Sequence, residues 1–324
     1  MGSERRKLSL RAQPAWIKAA ILQGNAFHYR QKNRAIHNAI NLSVFGLILL
    51  GLVTIGLLGR WLSPLFFIPI GAIGFGILYF ALFILTVHEA SHNMFILLKN
   101  RRQSKLWNRI FGWLVCIPLG IDYVQHWEVG HHIHHINPCC TEDPQNCPST
   151  LFTGKKLFQF VAKTLVIPGF IQFSAAGYHC PATEAYEFNG KMLAGQITAW
   201  AGFIAISVLC GNWPLPVAAF LGLQVLATLN LFKIAMEHGG EIALHDNPYL
   251  RSTSSFFPLR SLLMPLNISL HFEHHLNDSV PWYDLPKYHR ALKEIVPDDV
   301  RSHVFKSNAA VWKRITEPMP TGNQ

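Results

Sequence analysis

The sequence predicts an all-α integral membrane protein, with four transmembrane helices in two hairpins and a cytoplasmic helical cap. Three observations carry that expectation. Half of the 324 residues are hydrophobic and only 14% are charged, where a soluble domain carries about 25%. Four apolar stretches are long enough for a bilayer core of roughly 30 Å. Histidine is over-represented, with 17 residues, and most of these stand at the ends of the apolar stretches and between them.

The chain opens on a basic segment, 1–38. Arg5, Arg6, Lys7, Arg11, Lys18, Arg30, Lys32 and Arg34 face Glu4 alone, so most of the net charge of +10 precedes the first long apolar run. That concentration reads as a cytoplasmic flank and argues against a nucleic-acid partner. Within it, 15–27 carries Trp16, Ile17, Ile21, Leu22 and Phe27 among polar residues, which suits a helix lying in the headgroup plane or an ordinary packed helix. No signal peptide is visible, because the first apolar stretch begins near residue 39 and no small-residue cleavage site follows it.

The expected spans are 39–58, 65–87, 192–210 and 215–232, within a membrane domain covering 39–295. Gly59-Arg60-Trp61-Leu62-Ser63-Pro64 connects the first two and Gly211-Asn212-Trp213-Pro214 the second two. Arg60 is the one charge in these turns. The positive-inside rule then places both turns outside, with both termini and the central segment cytoplasmic. Residues 110–121 are too few to span and read as interfacial or buried. Residues 157–178 are long enough, but they contain Lys163 and Pro168, and a span there would leave an odd number of crossings; they read as interfacial. A cytoplasmic tail, 296–324, closes the chain. The six cysteines lack the spacing of a disulfide scaffold and read as reduced thiols, Cys139, Cys140 and Cys147 included.

The histidines fall into three clusters at the cytoplasmic ends of the spans. His88-Glu89-Ala90-Ser91-His92 closes the second span, and helical positions i and i+4 share a face, so both imidazoles can meet one ion. His131-His132-Ile133-His134-His135 and His271-Phe272-Glu273-His274-His275 share the pattern His-x-x-His-His, again on one face. At this histidine frequency the pattern arises by chance only about 0.05 times per chain. His132 lies off the face and is not expected to ligate. Eight neutral imidazoles exceed what one ion accepts, which implies two metals. Imidazole suits zinc, copper, iron and nickel alike; iron is chosen because oxygen chemistry makes sense beside lipid tails.

The order His-x-x-x-His, His-x-x-His-His, His-x-x-His-His across two membrane hairpins resembles the membrane fatty acid desaturases and their hydroxylase and ketolase relatives. The likeness covers about 40–295. It extends to Asn267, four residues before His271, and to Leu276, Ser279-Val280-Pro281 and Leu285-Pro286. It implies a four-helix membrane stalk with a cytoplasmic cap and a di-iron centre. Such a centre takes dioxygen as co-substrate and two external electrons, and removes two hydrogens from a lipid acyl chain. It also implies a ninth ligand, His238 in Glu237-His238-Gly239-Gly240. The metal set is thus His88, His92, His131, His134, His135, His238, His271, His274 and His275. Departures are Asn277 and Asp278, where an aromatic residue and a proline are frequent, and the cysteines after the second cluster.

Asn267 either binds metal through a water or caps a helix. Glu89, Glu128 and Glu273 stand beside ligands, as acceptors that orient the imidazoles or as solvated charges at helix ends. Lys233 reads as a snorkelling side chain with no further role. His126, His179, His245 and His289 match no cluster and suit surface or supporting positions. Two rival readings remain. His88-Glu89-x-x-His92 fits a zinc protease with Glu89 as general base, and a metal transporter would use intramembrane polar residues as a pathway. The first leaves most of the histidines without a role, and the second finds few polar residues in the spans. A hydroxylase or ketolase acting on a carotenoid or another lipid is the alternative within the resemblance. Neither a His-Pro-Gly-Gly haem element nor a Gly-rich dinucleotide fingerprint is present, so electrons come from a ferredoxin or a separate cytochrome. Lys99, Arg101, Arg102 and Lys105 offer a docking surface or are simply a solvated flank.

Overall fold

A computed structural model describes residues 10–119, 121–140, 142–145, 154–166 and 190–316. Arg5, Arg6, Lys7, Cys147, Pro168 and His179, the latter part of the 157–178 segment, and residues 317–324 lie outside these described residues.

Among the described residues, four helices are long and apolar enough to cross a membrane: α2 (Arg34–Leu58), α3 (Pro64–Ser91), α7 (Gly190–Leu209) and α8 (Pro214–His238). Each expected span is found, with altered ends. Helix α2 starts five residues before the apolar run because the Asn33 side chain accepts from the backbone N–H of Ala35 and Ile36, a strong N-cap. Two polar residues of its first turns, His37 and Asn41, are buried. Asn41 is wholly buried and donates to the carbonyls of Met94 and Phe95. Helix α3 begins with Pro64, a residue suited to a first turn, and continues to Ser91 through a π-helical stretch, Ile84–His88. Such a turn inserts one extra residue and changes which side chains face inward; here it delivers His88.

Helices α3 and α8 form the central pair. A Cβ added to Gly76 would meet Val225 Cβ at 2.3 Å and the Gly222 carbonyl at 3.0 Å, so the two backbones approach closely because these positions lack side chains. At the far end from the histidines, Asn212 Nδ2 donates to the Gly56 carbonyl (3.0 Å) and Arg60 Nη2 to that of Cys210 (3.2 Å), which ties the two short connections together.

Residues 110–119 of the 110–121 segment are the second half of one amphipathic helix, α4 (Arg101–Leu119), whose buried positions are Ser104, Asn108, Gly112 and Cys116. Asn108 accepts from the N–H groups of Phe95 and Ile96, pinning α4 beneath the first histidine cluster. Leu106, Trp107 and Leu114 on its other side are exposed. A π-helical turn, Tyr123–Val129, capped by Asp122, leads into the short helix α5 (Gly130–Ile136). Helix α6 (Gly154–Val166) holds the described start of the 157–178 segment.

A second core gathers around the third cluster. Helix α1 (Ala15–Asn25) buries Ile17 and Ala20 completely against Phe272, Leu276, Leu285 and Tyr288, while Leu22 is 66% exposed. One side of α1 is therefore an ordinary packed face. Gly24 is needed there, since a Cβ would strike Asn277 at 2.7 Å. After strand β1 (Ser254–Ser255) come α9 (Arg260–Leu263), α10 (His271–Leu276), α11 (Leu285–Leu292), α12 (Asp298–Val304), strand β2 (Phe305–Lys306) and α13 (Asn308–Thr316). Strand β2 pairs in parallel with β1, and Val296 and Val304 join the same core. Residues 296–306 thus pack with the core around the third cluster rather than trailing from it.

Candidate metal centre

Local structure brings all nine candidate histidines together. Box one rides on the end of α3, box two on α5, box three on α10, and His238 ends α8. They form two groups, each with ligand atoms within 4.8 Å of one another: His88, His92, His131, His135 and His274 in one, His134, His238, His271 and His275 in the other. In boxes two and three the i, i+4 pair stays together, and the third histidine, expected on the same face, goes to the other group. In box two the i, i+4 pair His131 and His135 joins the first group, while His134 turns to the second. In box three the i, i+4 pair His271 and His275 joins the second group, while His274 crosses to the first. The groups are neighbours, since the rings of His135 and His275 stack with centroids 4.2 Å apart. His132 is exposed and belongs to neither group.

The donor set fits metal ions. Both ring nitrogens of His88, and Nε2 of His92, His274 and His275, are buried with no hydrogen-bond partner, a cost that folded proteins rarely accept without a ligand. His238 Nε2 and His271 Nε2 face each other at 2.9 Å, and His131 Nε2 and His135 Nε2 at 3.2 Å, as lone pairs converging on a shared point would. Burial is the largest cause that lowers the pKa of His92, His131, His135, His271, His274 and His275, and neighbouring imidazoles add to it. The rings are therefore neutral near pH 7, the form that binds metal.

Around the rings stand acceptors that the motif spacing does not reveal. His134 Nδ1 donates to Asp143 Oδ2 (2.8 Å), His131 Nδ1 to Gln145 Oε1 (2.6 Å) and His238 Nδ1 to the Arg251 carbonyl (2.7 Å). His271 Nδ1 lies 3.2 Å from Glu237 Oε1. Arg251, 1% exposed, also donates to Asn137 Oδ1 and the Pro138 carbonyl, locking the exit of box two.

Three expectations need correction, those for Glu128, Glu273 and Lys233. Glu128 does not orient an imidazole: it is held by Arg109 through two bonds of 2.8 Å and by Lys105 at 2.8 Å. Those partners, rather than its partial burial, decide its state and hold its carboxyl below the usual range. Glu273, wholly buried, points away from the metal groups and accepts from Ser254 Oγ and His289 Nδ1. Asn267 has left-handed backbone and spends its amide N–H on the Trp282 carbonyl (3.1 Å). Lys233 does not snorkel; it is 7% exposed and its Nζ is 2.6 Å from Glu237 Oε2. Glu89 does stay beside a ligand, with Oε1 3.8 Å from His88 Nδ1. His126 is outside both groups, its pKa pushed down to about 4 by burial. His245 is exposed and His289 buried. Cys116, Cys139, Cys140 and Cys210 make no disulfide among the described residues.

A model of the family described as fatty acid desaturase matches residues 61–307, three quarters of the sequence. The chain belongs to the fatty acid desaturase family. The match runs past residue 295 to take in β2, in keeping with the pairing of β2 and β1. This desaturase-family chain is also 25% identical to a ceramide hydroxylase of Caulobacter vibrioides (strain NA1000 / CB15N) over 251 residues, which cover 64% of the chain and 71% of that protein.

Proposed function

We propose that the protein is a membrane-bound, O2-dependent di-iron oxidoreductase that introduces a double bond into a lipid acyl chain with electrons from an external donor. The observation that carries this reading is the gathering of nine histidines, eight of them buried, into adjacent groups of five and four. A zinc protease would use two of them, and a transporter would string them along a path instead of collecting them at the ends of α3 and α8. The four long apolar helices and the joined turns support two hairpins with the turns outside and a cytoplasmic cap carrying the boxes and both termini.

In this reading His88, His92, His131, His135 and His274 hold one iron and His134, His238, His271 and His275 the other. A pair of irons there supplies dioxygen activation and the removal of hydrogen from an unactivated methylene. The chain's own residues keep the site dry and the ligands neutral. Trp127, 8% exposed, packs against His131 with ring centroids 4.9 Å apart and the rings tilted by 46°, and shields that side of the site from water. An apolar cavity of about 280 Å³ between α3, α4, α7 and α8, lined by Tyr79, Leu82, Leu114, Trp200 and Phe203, suits an acyl chain. Lys99, Arg101 and Arg102 are exposed and remain the surface offered to an acidic ferredoxin or cytochrome, whereas Lys105 is occupied by Glu128.

A second reading, hydroxylation of a lipid, is favoured by the likeness to the Caulobacter ceramide hydroxylase. Expression in a host followed by lipid and pigment profiling separates the two. A new double bond in acyl chains supports desaturation. A new hydroxylated lipid or carotenoid with unchanged fatty acids overturns it.

A further inference from the structure

The turn after box two touches both metal groups at once. Asp143 is wholly buried, and its Oδ2 accepts from His134 Nδ1 (2.8 Å) and from the Cys139 N–H (2.8 Å), while Oδ1 accepts from the Gln145 N–H (2.8 Å). Gln145 accepts from His131 Nδ1 (2.6 Å) through Oε1 and donates through Nε2 to the His126 carbonyl (3.1 Å). His134 belongs to the group of four and His131 to the group of five. We infer that Asp143 and Gln145 are positioning residues, each fixing the ring of one ligand in a different metal group, so that this single turn sets the geometry of both. The inference rests on the metal-binding reading above.

The chemistry follows from the two ring nitrogens. A neutral imidazole carries one N–H, and an acceptor on Nδ1 keeps the proton there and leaves the Nε2 lone pair for metal. His131 shows the consequence directly, since its Nε2 turns toward His135 inside the first group. The two acceptors differ in strength. Asp143 is a carboxylate held by two backbone N–H groups, so the oxygen that faces His134 Nδ1 is fixed in position. Gln145 is a neutral amide whose orientation is set by its other end: with Nε2 spent on the His126 carbonyl, only Oε1 can face His131. The backbone links them as well, because the Gln145 N–H sits on Asp143. Box two supplies ligands to both groups from one seven-residue helix, α5, and a short helix cannot hold two rings facing different ions unless something outside it fixes each one. The Asp143-Pro144-Gln145 turn supplies that support.

Anaerobic Fe(II) titration of the purified full-length protein in detergent micelles tests this, with bound iron counted and the two iron environments followed by Mössbauer spectroscopy of 57Fe. Wild type is expected to bind two irons. Gln145→Leu should weaken one iron about tenfold to a hundredfold and leave the other unchanged, while Gln145→Glu, which keeps an acceptor, should restore both. Asp143→Ala should weaken the other iron, with Asp143→Asn intermediate because its remaining oxygen can still accept from His134. If Asp143→Ala loses its helical circular dichroism, Asp143→Asn and the Gln145 pair decide the matter. Wild-type affinity for both irons in Gln145→Leu and Asp143→Asn overturns the inference and leaves the metal-binding reading standing. Equal loss of both irons in a folded Gln145→Leu also overturns it. A wild type that binds no iron overturns both.

Discussion

Replacing Lys233 with Met removes a cation from the interior of α8 and leaves Glu237 without its partner. The pair is 2.6 Å apart, with side-chain exposures of 8% and 1%, so water reaches neither group. Truncating one member of such a buried pair costs about 3–5 kcal/mol, because the survivor is an uncompensated charge, whereas replacing both by neutral groups is often close to neutral. Lys233→Met and Glu237→Gln are therefore each expected to destabilise the protein by that amount. The double variant should regain most of the loss, giving a coupling energy of similar size. Glu237 Oε1 also faces His271 Nδ1 at 3.2 Å, so Lys233→Met should weaken metal binding in the group of four more than in the group of five. The assay is a double-mutant cycle by thermal unfolding in micelles. Strictly additive losses would refute the buried pair as a unit, and a fully stable Lys233→Met would refute the burial itself.

Three further outcomes are expected. His92, His131, His135, His271, His274 and His275 have folded pKa values lowered mainly by burial, so below the unfolded value near 6.5 the unfolded chain binds protons that the folded chain refuses. The metal-free protein should thus hold its stability above about pH 6.5 and lose roughly 1.4 kcal/mol per pH unit for each such histidine below it, seen as a falling melting temperature between pH 7.5 and 5.5; a flat profile contradicts this. Gly76→Ala forces a Cβ onto Val225 and the Gly222 backbone and should cost about 1–3 kcal/mol, read from unfolding in micelles. His132→Ala, at an exposed position, should keep turnover while His131→Ala loses it; the reverse would mean that box two is out of register.

The four apolar helices and the i, i+4 pairs of the boxes are legible because both depend on short-range periodicity: about 20 apolar residues make a span, and i, i+4 side chains meet, whereas His134 and His274, expected on the same faces, go to the opposite groups. The same periodicity misleads one residue further on. Glu273 stands next to His274, yet a step of one residue turns a side chain about 100° around a helix, toward Ser254 and His289, whereas Glu128, three residues before His131, lies in the π-helical turn and is held by Arg109 and Lys105. Nearness to a span end suggests snorkelling for Lys233, but Glu237 one turn later on the same face signals the pairing that is found. The ends of α2 could have been read from Asn33 as an N-cap, and His238 is recoverable only through the family likeness. Asp143, Gln145 and Arg251 reach the rings from irregular loops, where no periodicity relates position in the chain to position in space. Nothing in a linear reading marks them. The division of box two between two groups is likewise set by how α3, α5, α8 and α10 converge.

The most direct measurement is metal content: iron and zinc per chain in the purified, active protein by inductively coupled plasma mass spectrometry. The account predicts about two irons per chain, falling in variants that lose ligands from either histidine group. A single zinc in active protein, or full activity with no iron bound, would contradict it.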